Sequence, residues 1–288
     1  MLIPAIAATA VVGLSLLAYA RFVEPAWLRI RYRRVSIPGW HVAAEADGSP
    51  GLRILHLSDL HVGRSTGRIH RFIERAAAIP ADIVAITGDF VDHPQYLPQL
   101  SEVLRSITGG DRPVLAVMGN HDRFAYEKRL VRSNPHAYNS GELIETVRAL
   151  GIDLLIDELR TVPTRVGDIT FVGVDLRSHD TEGLTRALGG HTGDGVVMLA
   201  HSPDAIHAAV GANIGLLLCG HTHGGQVRIS PWLTPLTSTR TPIKPPSGLS
   251  LRGNTTMHVS PGLGVTFLPL RFFSRPEATL IEIVPNIP

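Results

Sequence analysis

Cysteine is almost missing: one residue, Cys219, in a chain of 288. No intrachain disulfide can form, and a reducing compartment fits without being required. Net charge is small as well, +2. No basic tract marks a nucleic-acid footprint, no basic or aromatic channel for a polyanion is visible, and no nucleic-acid partner is expected. There is no internal repeat. No glycine-rich loop ending in lysine appears, so nucleotide hydrolysis by that machinery is unsupported. What is abundant is glycine (28) and proline (21), enough for many tight turns in a globular body.

The N-terminus is apolar. MLIPAIAATAVVGLSLLAYA runs from Met1 to Ala20 without a charge. As a helix it would span roughly 30 Å, the hydrocarbon core of a bilayer. Arg21, Arg29, Arg31, Arg33 and Arg34 follow, against a single Glu24, with Trp27 and Tyr32 suited to an interface. No charged segment precedes the apolar run, which argues against a simple cleaved signal. The expectation is a membrane anchor and basic juxtamembrane segment over 1–34, a linker or edge segment over 35–51, and one domain over 52–288. Positive charge on the C-terminal flank predicts a membrane-anchored protein with a cytoplasmic body. Export to the outer face is the alternative, as are arginines resting on anionic headgroups.

From Leu52 onward strands and helices alternate. LRILHLSD, DIVAITGD and PVLAVMGN read as strands. GRIHRFIERAAAI, QYLPQLSEVLRSI and SGELIETVRAL read as helices, the first with Ile69, Phe72, Ile73, Ala76 and Ala77 on one face. Further strands are expected in IDLLIDELRTV, DITFVGVDL, GVVMLAHSP, IGLLLCGHTH, GGQVRIS, TTMHVSPGLG and ATLIEIV. The Pro-, Thr- and Ser-rich stretch 231–253 reads as a long surface loop near a site. About ten strands in one body favour two packed sheets covered by helices.

Five apolar runs end in polar clusters. LSDLH supplies Asp59 and His61; TGDFVD supplies Asp89 and Asp92; GNHD supplies Asn120 and His121. LAHSP supplies His201, and GHTHGG supplies His221 and His223. Buried polar groups must be paired or must bind something. Open α/β sheets place ligands beyond the carboxyl ends of their strands. Imidazole and carboxylate suit divalent transition metals, and carboxylate can bridge two. Cys219 precedes the cluster and reads as a small buried hydrophobe. His56 and His258 read as packed, and Asp122 as a cap or ion-pair partner. Arg123 and Arg177 follow strand ends, where either could grip a phosphate or simply form surface ion pairs.

In this order, DLH, GDFVD, GNHD, AHSP and GHTH resemble the calcineurin-like metallophosphoesterase superfamily. The resemblance implies a four-layer α-β-β-α sandwich of two mixed β-sheets flanked by helices, here behind an N-terminal transmembrane or membrane-anchor helix. It implies two metal ions, with manganese, iron and zinc all open. Asp59, His61, Asp89 and His223 would hold the first; Asp89, Asn120, His201 and His221 the second. It also implies that His121 serves the leaving group and that Asp92 orients His121. Two metals roughly 3.5–4 Å apart clamp an in-line phosphoryl displacement and acidify a water between them. YARFVEPAWLRI, GHTHGGQVRI, SPGLG and RPEATLIEI resemble a membrane-linked bacterial branch related to UDP-2,3-diacylglucosamine pyrophosphatases. The expected activity is hydrolysis of a phosphoester or pyrophosphate on a membrane-associated substrate, possible lipid linkage included. That pyrophosphatase activity in lipid A synthesis is one alternative, and a non-catalytic membrane-attached scaffold is another. Leaving group and oligomeric state are not fixed by the sequence.

Overall fold

The computed structural model describes residues 2–37, 40, 51–63, 65–126, 135–137, 139–176, 180–230, 239 and 246–284. In chain order these form helix α1 (Leu2–Ala18), strands β1 (Arg29–Ser36) and β2 (Leu52–Leu57), α2 (Thr66–Ala77), β3 (Ile83–Thr87), α3 (Leu97–Thr108) and β4 (Val114–Val117). The small paired strands β5 (Phe124–Tyr126) and β6 (Pro135–Ala137) follow, then α4 (Gly141–Ala149), β7 (Asp153–Leu154), β8 (Glu158–Thr164) and β9 (Gly167–Val174). Next come α5 (Thr181–Leu188), β10 (Val197–Ala200), α6 (Ile206–Gly211), β11 (Leu216–Cys219), β12 (Gly248–Arg252), β13 (Thr255–Val259) and β14 (Glu277–Val284).

Two six-stranded mixed sheets result, ordered β1-β14-β2-β3-β4-β7 and β12-β13-β11-β10-β9-β8. β2, β3, β4 and β7 are parallel neighbours in the first, and β9, β10, β11 and β13 in the second. Strands buried on both faces read as unbroken apolar runs, which is why IVAIT and LLLC show no alternation. Between the sheets, Ile54, Ile83 and Val117 pack with Phe171, Leu199 and Leu218. On the outer face of the first sheet, Val84, Ile86 and Ala116 meet Ile69, Phe72 and Leu104 of α2 and α3. Outside the second, Val172, Met198 and Leu217 meet Leu184 and Ala208 of α5 and α6. This is the α-β-β-α sandwich expected.

Three local readings differ. GGQVRIS forms a 3-10 turn, His223–Gly225, and a single bridge between Val227 and Phe272 instead of a strand. Positive φ at Gly224, Gly225 and Gln226 (61°, 80° and 44°) bends the chain away from an extended path. The stretch 231–253 is not all loop, since residues 248–252 add β12 to the edge of the second sheet; most of 231–245 lies outside the described residues. Of the juxtamembrane arginines, Arg29, Arg31, Arg33 and Arg34 belong to β1, which runs parallel to β14 with Arg29 opposite Glu277 and Arg34 opposite Glu282. Arg31 Nε reaches Glu277 at 3.0 Å, and Arg34 Nε reaches Glu282 at 2.7 Å. Those carboxylates on the neighbouring strand explain why so basic a segment can join a sheet.

α1 continues through a π-turn, Tyr19–Val23, and a 3-10 turn, Glu24–Ala26. Residues 6–26 are long and apolar enough to cross a membrane, and the described residues of α1 stand clear of the body. The apolar helix is thus consistent with the anchor read from the sequence.

Candidate metal centre

The parallel strands of both sheets deliver their C-terminal ends to one edge. β2 leads to Asp59 and His61, β3 to Asp89 and Asp92, and β4 to Asn120 and His121. From the second sheet β10 leads to His201, and β11 to His221 and His223. The backbone is strained where it turns into this edge. Asp59, His61, Asp89, His221 and His223 all have positive φ, between 46° and 69°. L-residues rarely adopt that conformation, and its cost is retained where the surroundings fix a functional geometry. Two glycines make the turns close enough. A Cβ on Gly119 would lie 2.1 Å from Asp89 Oδ1, and one on Gly220 would lie 1.9 Å from Ser58 Oγ.

One ligand atom each of Asp59, His61, Asp89 and His223 falls within a 4.8 Å group, and all four residues are buried. His61 Nε2 is 3.1 Å from His223 Nε2 and 3.4 Å from Asp89 Oδ2, while His223 Nε2 is 3.3 Å from Asp59 Oδ1. His61 donates its other nitrogen, Nδ1, to Asp92 Oδ1 at 2.9 Å. Neutral His61 then turns a lone pair toward carboxylate oxygens, an arrangement that only a proton or a cation relieves.

The same logic holds on the second sheet's side. His201 Nδ1 donates to the Thr87 carbonyl at 2.7 Å, which leaves Nε2 facing Asn120 Oδ1 at 3.0 Å, His221 Nδ1 at 3.2 Å and Asp89 Oδ2 at 3.4 Å. Acceptors converge on one volume, with Asp89 common to both halves. Uncompensated, such burial distorts the titration of every member. Burial pulls His201 down, but the Asp89 and Asp59 carboxylates and its hydrogen bonds hold it up, at about 10. Burial and Asp89 push Asp59 up despite His201. Burial opposes ionisation of Asp89 too, yet the surrounding imidazoles keep it well below the carboxylate range. A binuclear divalent-metal site fits this donor set: positive charge replaces protons, and each acceptor gains a partner.

Around the donors stand residues that aim them. Asp122, read as a cap or ion-pair partner, accepts from the backbone N–H groups of Asp89, Phe90 and Gly119, each at 2.8 Å. It ties the ends of β3 and β4 together, and burial with the nearby Asp89 raises its carboxyl to about 6. Asp92 was expected to orient His121; ligand atoms of Asp92, His61 and His121 fall within one 4.8 Å group, and the Asp92 carboxylate accepts from His61 Nδ1. His93 caps the turn that follows by accepting from Gln95 N. His121 is buried, its ring lies edge-on to His61 at 4.7 Å, and its Nε2 is 3.4 Å from Thr266 Oγ1. Burial pulls its imidazole down to about 4.

Arg123 ion-pairs with the buried Asp175 at 2.7 Å, so its guanidinium braces the body where a phosphate grip was one expectation. Arg177 lies outside the described residues. His56 and His258 pair with each other, Nδ1 to Nδ1 at 2.8 Å.

One residue went unread altogether. Arg271 is wholly buried, and its guanidinium donates to the carbonyls of Pro261, Gly262, Gly264 and Ser274. It knots the loop that closes over the site. A lone arginine in a loop carries no sequence signal for such a role.

Comparison with known proteins agrees with this geometry. The family model for calcineurin-like phosphoesterases matches residues 52–225, a span containing every residue of the two clusters. An uncharacterized metallophosphoesterase of Bacillus subtilis, YkoQ, is 27% identical over 83% of this chain and 87% of its own. The phosphodiesterase YaeI of Escherichia coli is 28% identical over 92% of each chain. UDP-2,3-diacylglucosamine pyrophosphatase LpxG of Chlamydia trachomatis is 30% identical over a shorter region, 38% of this chain and 33% of its own. The sandwich, the strand-end donors and the matched span converge: this chain belongs to the calcineurin-like phosphoesterase family, and it is a metal-dependent phosphoester hydrolase.

Proposed function

We propose that this protein is a membrane-anchored hydrolase acting on a membrane-associated phosphoester, with seven side chains dividing two cations between them. Asp59, His61, Asp89 and His223 would hold one, and Asp89, Asn120, His201 and His221 the other. When bound, two divalent cations supply the charge that acidifies a water and offsets the charge gathering on the phosphoryl oxygens. The observation that carries this reading is the meeting of buried carboxylate, amide and imidazole ligand atoms around Asp89, from both sheets.

The protein's own groups do the rest. His121 is the residue placed to serve the departing oxygen. It rests neutral, and an anionic phosphoryl group arriving beside it would raise its pKa toward the working range. Asp92 fixes the His61 tautomer, so that Nε2 keeps its lone pair for metal. Residues 1–34, 35–51 and 52–288 remain our division into anchor, linker and catalytic domain, with β1 shared between the first two. We place the body on the cytoplasmic face. The partial likeness to LpxG supports a pyrophosphate as a second substrate reading.

The test is metal analysis of full-length protein, paired with a panel of lipid pyrophosphates, phosphodiesters and phosphomonoesters. Two metals per chain and loss of all turnover on chelation are expected. Turnover that survives complete metal removal would reject the proposal. Metal counting on Asp89→Asn, which should lose both ions, and on Asn120→Ala, which should lose mainly one, tests the division of ligands. Full occupancy in Asp89→Asn would reject the bridging role.

A further inference from the structure

The loop over the metal centre is joined to the foot of the apolar helix. Arg271 N donates to the Ala20 carbonyl at 2.9 Å, and Ser274 N to buried Glu24 at 2.5 Å. The Phe272 ring meets Tyr19 edge-on at 6.2 Å, and the Arg275 guanidinium stacks 3.9 Å over Trp27. With Arg271 tying the loop from within, helix foot and loop form one unit.

That unit presents large apolar side chains to the outside. Phe267, Leu268 and Phe273 of the loop are 53%, 54% and 48% exposed, and Phe22 and Trp27 of the helix foot are 68% and 52% exposed. Phe267 and Phe273 hold positive φ, 54° and 55°, so backbone strain accompanies their outward placement. Large apolar side chains exposed together on one loop and the helix foot joined to it mark a surface that meets something other than water. It adjoins the foot of a helix long enough to cross a bilayer, where Trp27 and Tyr19 suit the headgroup level.

Behind this surface lies a cavity of about 260 Å³. Its lining includes His61 and Asp92 of the metal centre together with Arg21, Arg68, Phe267 and Leu268. The Arg68 Nε is buried with no hydrogen-bond partner among the described residues, and Arg21 adds a second positive charge beside it. The cavity therefore offers positive charge at headgroup depth, between an apolar lip and the metal centre.

We propose that the loop Gly264–Phe273 is a lipid-contacting lip, and that the cavity behind it draws an anionic phosphoester amphiphile directly from the bilayer surface, its head passing between Arg21 and Arg68. This rests on the membrane-anchored hydrolase reading above and adds to it the route and class of substrate.

Fluorescence tests the lip without any turnover. Cys219 is buried, so a cysteine introduced at Leu268 can be labelled selectively with an NBD fluorophore in full-length protein reconstituted into phosphatidylcholine vesicles. Asp111, exposed in the turn before β4 at the opposite end of the sheet, provides the solvent control, and Phe22 provides the anchor control. Doxyl-labelled phosphatidylcholine should quench positions 22 and 268 at least twofold and leave position 111 unchanged. Quenching at 22 without quenching at 268 would overturn the lip while the anchor stands. Quenching at neither would overturn both.

Kinetics test the route. Hexadecyl p-nitrophenyl phosphate in the same vesicles is compared with soluble bis(p-nitrophenyl) phosphate. In Arg21→Gln/Arg68→Gln the ratio of the two kcat/KM values, vesicle over soluble, should fall about tenfold. An unchanged ratio overturns the role of the cavity. Hydrolysis of neither ester rejects the phosphoesterase reading and the cavity's role with it, while the lip stands or falls on fluorescence alone.

Discussion

At the scale of the residue, three side chains separate binding metal from using it. His121→Ala should keep both metals and lose kcat by roughly 10²–10⁴-fold if proton transfer limits turnover. A substrate with an acidic leaving group should recover much of that loss, and a variant no more sensitive than wild type to leaving-group pKa would end the acid role. Asp92→Asn should behave differently, because its partner is His61 Nδ1. Losing a carboxylate behind a ligating imidazole typically weakens metal affinity 10–100-fold. Metal titration should show that loss, whereas leaving-group dependence alone would return Asp92 to His121. Asp122→Ala would orphan three buried N–H groups. At ~1–3 kcal/mol each, destabilisation of about 3 kcal/mol or more is expected in denaturant titration. The donors were legible in the sequence because polar residues at the ends of apolar runs are conspicuous. Asp92's partner and Arg271 were not, since both depend on where a turn throws a side chain.

At the scale of the element, the strand ends carry the geometry. Gly119→Ala would drive a Cβ to 2.1 Å from Asp89 Oδ1. Metal content should collapse in that variant while circular dichroism keeps the sandwich signature; full metal content would show that the turn can yield. Long apolar strands and amphipathic helices were readable from the sequence. The short helices were harder. α5 has eight residues, and only its cap at Asp180 and the left-handed Gly189 announce it. β1 was hidden because four arginines in eight residues suggest a headgroup-facing segment, and β14 supplies the glutamates that reconcile them with a sheet. The facing strands β2 and β13 also bury the His56–His258 pair. Burial, with His56 beside His258, holds His56 well below the histidine range, and burial with Arg33 and Arg31 pulls His258 to about 3. Unfolded histidines bind protons below about pH 6.5 that the folded pair refuses, so this contribution is complete above that pH and fades as pH falls. A loss of about 2 kcal/mol per histidine by pH 5 is the expected scale. His56→Gln/His258→Gln should flatten stability against pH between 7 and 5; an equally steep variant would assign the acid sensitivity elsewhere.

At the scale of the whole molecule, the metal centre joins two sheets that elsewhere meet through apolar packing and the buried His56–His258 pair. Chelation should abolish turnover and lower the unfolding temperature together, because Asp59 and Asp89 would keep their burial and lose their counter-charge. Restoring metal at a hundred times its Kd should return about 2.7 kcal/mol per site. A melting temperature indifferent to chelation would mean that the sheets hold without the ions. Anchoring predicts resistance to carbonate extraction, and a reporter fused after Pro288 should be active in the cytoplasm; reporter activity on the outer face would reverse the orientation. The order of the first sheet carries a consequence for biosynthesis. β14 lies between β1 and β2, with eight residues registered to β1 on one side and five to β2 on the other. A nascent chain emerging from the ribosome thus makes the two flanking strands first and the wedge that joins them last. Until residues 277–284 are translated, β1 has no neighbour to pair with among the described strands, the glutamates that neutralise its arginines do not exist, and the anchor's foot is tethered to an unfinished sheet. Ribosomes that stall late would therefore leave an inserted helix attached to an incomplete sandwich, a substrate for membrane proteases rather than a working enzyme.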